Sequence, residues 1–249
     1  MVSEFSNQYL RLRTQRLAES TREFLARGKS VVRCEYCQLA VFACICPWRP
    51  ELTARCEFVL LMHRDEVFKP TNTGRLIADV LPRQTHVFCW SRTEPAQELV
   101  GLLSDPLRRC VIVFPVDANE AGSRSRTLVT ELKHGDERLV TFILLDGTWK
   151  QSGRMFHLSR WLEAIPCVML PDSLVRGYAV RKSHHEHYLS TAEAAGLCLE
   201  MVDESCAANA LQDYFELFNQ HYLATRGAYV PLVGAVHERM RKYQNNITP

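Results

Sequence analysis

The chain has 249 residues, and its 30 Lys+Arg against 28 Asp+Glu leave a formal charge of +2. With 47% hydrophobic and 23% charged residues it has the balance of a chain able to bury a core, which excludes the disordered, collagenous and fibrous classes. Apolar runs are short: residues 140–145, interrupted by Thr141, fall far below the roughly 18 residues that span a bilayer, and the start MVSEFSNQYLRLRTQR has no signal-like apolar core. The expectation is a soluble, cytoplasmic protein with no membrane partner.

Residues 3–28 predict a helix, with Leu10, Leu17, Phe24 and Leu25 on an apolar stripe and Gly28 as its C-cap. The first 33 residues carry seven Arg/Lys against three Glu, a local basic surface that can track phosphates or simply face solvent. Cys34, Cys37, Cys44 and Cys46 follow, closed by Pro47 and Pro50. A C-x-x-C turn lets two thiolates converge on one ion and the second pair completes a tetrahedron, so the spacing predicts a structural zinc site. With four protein ligands such a zinc has no open position for catalysis. Iron–sulfur ligation also uses four cysteines, but neither ferredoxin spacing matches; unligated thiols, a redox pair or another metal are the alternatives. The other six cysteines, at 56, 89, 110, 167, 198 and 206, stand singly among apolar neighbours and read as small buried hydrophobes.

From residue 51 short apolar runs alternate with helix-like stretches. The runs are 56–62, 86–90, 110–115, 140–145 and 167–170, and the helical patterns are 73–81, 95–103, 123–132 and 148–162. That alternation predicts an α/β fold with a mostly parallel sheet. Residues 190–223 read as helical, and the tail after Gly227 as short and basic. The expected organisation is a basic helix and zinc segment over 1–50, an α/β domain over 51–225 and a tail over 226–249.

Two strands end in polar motifs, where open α/β sheets hold their ligands. One is Pro115-Val116-Asp117 and the other Asp146-Gly147-Thr148-Trp149. Asp146 reads as a base or as a helix-capping carboxylate, Thr148 as a cap, and Trp149 as a stacking surface or a core residue. Lys69-Pro70-Thr71-Asn72-Thr73-Gly74 forms a turn able to present backbone N–H groups, and Ser190 with Glu193 reads as a helix start. His63, His157, His184, His185 and His187 come without nucleophile or ligand spacing and read as exposed loop histidines beside basic residues.

Taken in order, the cysteine cluster, K-P-T-N-T-G, F-P-x-D-A, D-G-T-W and L-S-T-x-E-A make a chain that resembles the DTW-domain family from about Arg11 to Tyr222. More narrowly it is similar to the family's bacterial tRNA-uridine aminocarboxypropyltransferases. The resemblance implies a SPOUT-like sheet with a knotted C-terminal region. It also implies S-adenosylmethionine as co-substrate and transfer of its 3-amino-3-carboxypropyl group to N3 of a variable-loop uridine in tRNA, leaving methylthioadenosine. On that basis Asp146 and Trp149 are the expected catalytic residues. Asp146 is expected as the base or a group orienting the nucleophile, or else as a contact to the substrate's ammonium or ribose, and Trp149 as stacking on the nucleobase or supporting the loop. Thr73, Gly74, Pro115, Asp117, Thr148, Ser190, Thr191 and Glu193 are the expected contacts to S-adenosylmethionine. Arg11, Arg16, Arg154, Arg181 and Lys182 are expected at the tRNA, with a monomer the weakly favoured state. The alternatives are a SPOUT-type RNA methyltransferase, a non-catalytic zinc module that binds RNA, and a redox protein.

Overall fold

A computed structural model describes residues 5–21, 31–115, 127–129, 132, 136–171 and 189–245. Six strands, β1 (Cys56–Met62), β2 (Thr85–Cys89), β3 (Arg108–Val113), β4 (Leu128–Val129), β5 (Leu139–Asp146) and β6 (Cys167–Val168), form one sheet in the order β2-β1-β5-β3-β6-β4. Every pairing is parallel. The helices are α1 (Gln8–Glu19), α2 (Gly74–Val80), α3 (Gln97–Leu103), α4 (Trp149–Leu158), α5 (Thr191–Glu200), α6 (Ser205–Gly227) and α7 (Ala235–Asn245).

Successive strand residues point to opposite faces, and the two faces bury different partners. Phe58, Leu60, Met62, Phe142 and Leu144 pack with Leu76 and Ile77 of α2, Ala195 of α5 and Leu211 of α6. Val59, Leu61, Ile143 and Leu145 pack on the other side with Leu99 of α3 and Met155 and Phe156 of α4. The central strands are therefore apolar at almost every position, the signature of a parallel sheet covered on both faces.

The expected strands are present, and three helical expectations change. Helix α1 spans Gln8–Glu19, not 3–28: the Asn7 side chain caps it by accepting from Leu10 N–H, and Ser20 ends it in an extended conformation. Its buried residue is Tyr9, whose hydroxyl donates to the Val67 carbonyl at 2.9 Å, whereas Leu17 is exposed. Within 123–132, Leu128–Val129 is a strand hydrogen-bonded to β6, so edge pairing overrides the helical pattern there. The stretch 190–223 is two helices, broken where Asp203 takes a positive φ of 59°. Beyond Gly227 the tail carries α7, which packs back on α6. Residues 172–188, between β6 and α5, lie outside the described residues, and the described residues do not show the knotted C-terminal region that the resemblance implies. Among the described residues no helix is long and apolar enough to cross a membrane.

Candidate active site and metal centre

The strand order creates a cleft. From β1 the chain moves outward to β2, then crosses β5 to reach β3 on the other side. The carboxyl ends of β1, β5 and β3 thus lie at a topological switch point. A cleft of about 660 Å³ opens there, lined by Asn72 and Thr73 after β1, Phe114 and Pro115 after β3, residues 146–149 after β5, and Ser190, Thr191 and Glu193 at the start of α5.

Asp146 is the last residue of β5 and only 3% exposed. Asn72 Nδ2 donates to its Oδ2 at 2.6 Å and Thr191 Oγ1 donates to its Oδ1 at 2.7 Å. Burial pushes the carboxyl up to about 6, while those two hydrogen bonds pull it the other way. The Asn72 amide is itself oriented, because Arg75 N–H donates to its Oδ1 at 3.0 Å. Gly74 leaves room for the carboxylate: a Cβ there would lie 2.6 Å from Asp146 Oδ2.

The two helices that open onto the cleft begin alike. Thr148 caps α4 in a reciprocal box with Gln151, and Ser190 caps α5 in the same way with Glu193. The second box turns Thr191 toward Asp146. The first leaves Trp149 at the mouth, 42% exposed and not a core residue. Gln151 also meets His63 Nδ1 at 3.1 Å, and His63 stacks on Trp90, so His63 belongs to the packed wall beside the cleft and not to an exposed loop.

The four clustered cysteines lie on a different surface. A bridge between Arg33 and Ala40 and the Cys34 N–H to Leu39 carbonyl bond of 2.8 Å fold the first pair into a tight turn. Cys34 and Cys46 sulfurs are 3.7 Å apart, Cys37 and Cys44 sulfurs 3.8 Å, and all four lie within 4.8 Å of one another. A tetrahedron with metal–sulfur bonds of about 2.3 Å has an edge of about 3.8 Å, so the four sulfurs can hold a zinc ion. Thiols of Cys37, Cys44 and Cys46 stabilise a Cys34 thiolate and hold its pKa down, while Cys46, facing Cys34 first of all, is pushed up. Ionising all four sulfurs at this spacing would need a cation between them.

This segment is docked, not free-standing. Ala40 N–H donates to Thr225 Oγ1 of α6 at 3.1 Å, and His221 of α6 bonds the Ala43 carbonyl at 3.0 Å. From α7, His237 meets the Trp48 ring edge-on and Gln244 donates to the Pro47 carbonyl at 2.6 Å. Arg13 of α1 donates to Gln38 Oε1 at 3.1 Å from the other side.

The family model of the DTW domain matches residues 31–223, from the cysteine segment to near the end of α6. The chain belongs to the DTW-domain family. It is similar to tRNA-uridine aminocarboxypropyltransferase 2 of Drosophila melanogaster, with 26% identity over 177 residues covering 69% of this chain and 66% of the relative. The Mus musculus protein of that name is 24% identical over 185 residues, 72% of this chain and 58% of the relative. The Macaca fascicularis protein is 24% identical over 176 residues, 69% and 57%. The chain thus spans between 57% and 66% of the length of these relatives. No solved structure matches it.

In this DTW-domain protein, Asp146, Trp149, Thr73, Pro115, Thr148, Ser190, Thr191 and Glu193 all line one cleft, and Gly74 abuts Asp146 from behind. Asp117, Arg181, Lys182 and the trio His184, His185 and His187 lie outside the described residues. Arg154 is exposed on α4, close enough to His63 to help lower its pKa, after burial. On α1, Arg11 is exposed beside Ser6 and Arg16 pairs with Glu19 at 2.8 Å, an exposed pair of little energetic consequence. Of the six scattered cysteines, Cys56, Cys167 and Cys198 are buried, Cys89 and Cys110 half-buried, and Cys206 exposed.

Asn72 and Glu66 are the site residues that sequence reasoning missed. K-P-T-N-T-G reads as a backbone anion turn, yet the group that reaches Asp146 from it is the Asn72 amide. Glu66 gives no pattern signal at all.

Proposed function

We propose that the chain is a tRNA-uridine aminocarboxypropyltransferase that uses S-adenosylmethionine to modify N3 of a variable-loop uridine. The observation that carries this reading is Asp146, a buried carboxylate with its pKa raised to about 6, held by Asn72 and Thr191 in a cleft of ligand size. Its family membership and the names of its relatives supply the substrate class.

In the proposed step the N3 proton passes to Asp146 as the nitrogen attacks the methylene carbon attached to the sulfonium. The carbon–sulfur bond breaks with its electrons going to sulfur, and methylthioadenosine leaves. A carboxylate with a raised pKa is a stronger base than an ordinary one yet stays largely ionised at neutral pH. Trp149 stacks on the uracil at the cleft mouth, and the polar groups of Thr73, Thr148, Ser190 and Glu193 orient the adenosyl ligand. Which sulfonium carbon reacts is decided by which is held in line with the nucleophile. Zinc in the four-cysteine site acts as a structural staple. Arg11, Arg16, Arg154, Arg181 and Lys182 meet the tRNA phosphates, and the protein works in the cytoplasm.

Incubating the protein with unmodified tRNA and S-adenosylmethionine and identifying the nucleoside product tests the reading. Methylthioadenosine released with tRNA, and not without it, is expected. Release of S-adenosylhomocysteine instead would make the chain a methyltransferase, and release of neither would leave an RNA-binding module.

A further inference from the structure

Three carboxylates line the cleft, Asp146, Glu66 and Glu193, and among the described lining residues there is no Lys or Arg. They are not equivalent. Asp146 has both oxygens engaged by Asn72 and Thr191. Glu193 closes the α5 capping box by accepting from Ser190 N–H at 2.8 Å. Glu66 is different. It sits on the short 3-10 turn Glu66–Phe68 just after β1, is only 6% exposed, and is paired with Lys69, whose side chain is one-third exposed.

A nearly buried carboxylate must keep a charge partner, so Glu66 stays paired with Lys69 until another cation takes its place. Glu66 lines the cleft together with Asp146, and Lys69, paired with it, adjoins it from just outside that lining. Glu66 raises the Asp146 pKa and Lys69 lowers it, both after burial and the two hydrogen bonds. An α-amino acid presents an ammonium and a carboxylate on the same carbon. An adjacent carboxylate and ammonium on the protein are complementary to that pattern, and exchanging one internal pair for two pairs with the ligand keeps every charge compensated.

We propose that Glu66 and Lys69 are the clasp for the amino-acid end of S-adenosylmethionine, with Glu66 receiving its ammonium and Lys69 its carboxylate. This rests on the reading of the cleft as the adenosyl site and adds to it the feature that favours aminocarboxypropyl over methyl transfer. Anchoring the head of the methionine chain on the wall that carries Asp146 turns that chain, and not the methyl group, toward the nucleophile. Glu66 and Lys69 are specificity residues in this scheme, and neither takes part in bond making.

Calorimetric titration with three probes tests the clasp. S-adenosylmethionine has both charged groups, its decarboxylated analogue only the ammonium, and methylthioadenosine neither. In the wild-type protein S-adenosylmethionine is expected to bind at least ten-fold more tightly than the decarboxylated analogue. Glu66→Gln should weaken both aminated probes at least ten-fold, Lys69→Met only S-adenosylmethionine, and methylthioadenosine should bind all three proteins alike. Unchanged S-adenosylmethionine binding by both variants, with methylthioadenosine still bound, would overturn the clasp and leave the adenosyl site standing. Failure of the wild-type protein to bind any probe would overturn both. If a variant loses methylthioadenosine as well, the wild-type comparison decides, and equal affinity for S-adenosylmethionine and its decarboxylated analogue refutes the assignment.

Discussion

The cleft and the cysteine cluster each bring a few polar groups together, but by opposite means. In the cleft, Asp146 comes from β5, Asn72 from the loop after β1 and Thr191 from α5, three elements whose apolar sides are buried in the same core. Each polar group satisfies another, so the constellation is complete before any ligand arrives. Between Arg33 and Trp48 the chain has one bridge and two 3-10 turns, and four sulfurs face one another with only weak hydrogen bonds between them. One site is prepared by the sheet, and the other is spaced so that an ion could complete it.

The largest expected effect separates chemistry from folding. Asp146→Asn should lose about 10²–10⁴ in turnover, the range of general-base catalysis, while melting within a few degrees of wild type. Its amide can accept from Asn72 and donate to the Thr191 hydroxyl. Full turnover would remove Asp146 from the mechanism. Next, Cys34→Ser should lose bound zinc and lower the melting temperature, by about 2–4 °C for each kcal/mol lost, yet leave the cleft binding methylthioadenosine. A variant that stays as stable without metal would erase the contrast between the two regions, and loss of cleft binding would show them coupled.

Gly74→Ala tests how tightly the cleft is prepared. With a Cβ 2.6 Å from Asp146 Oδ2, overpacking should cost about 1–3 kcal/mol, read in a thermal melt, and turnover should fall with it. The pH dependence gives a smaller but sharper signature. Asp146 must be ionised to accept a proton, so the rate should fall as pH drops through about 6. The stability sign is the reverse: a carboxyl raised in the folded state favours folding most below its ordinary range and loses that contribution as pH rises through about 6. Thr191→Val removes a hydrogen bond to the ionised form and should move the rate limb to higher pH; a limb that stays in place would assign it to another group. The smallest effect is expected from Arg11→Ala combined with Arg154→Ala, a few-fold weaker tRNA binding with a flatter salt dependence.

The sheet was readable because β1 and β5 are buried at most positions and write themselves as near-continuous apolar runs, while β3 carries the apolar residues Val111–Val113. The cysteine site was readable because ligand spacing is local. Helix α7 escaped because its apolar positions are few, Val236 and Met240 among charged residues, and its reason to fold lies in partners far away: Trp48, Pro47 and α6. Asn72 and Glu66 escaped for a related reason. Their roles follow from where β1 ends relative to β5, and the register Met62 opposite Asp146 exists only in the assembled sheet. Leu128–Val129 took the strand state because β6 offered an edge, a tertiary fact with no local signature.

The most direct test supplies unmodified tRNA with S-adenosylmethionine labelled either in the methyl group or in the carboxyl carbon, using wild-type protein and Asp146→Asn. Carboxyl label entering tRNA with the wild type and not with the variant is the expected result. Methyl label in the tRNA, or carboxyl label transferred equally well by the variant, would contradict aminocarboxypropyl transfer driven by Asp146.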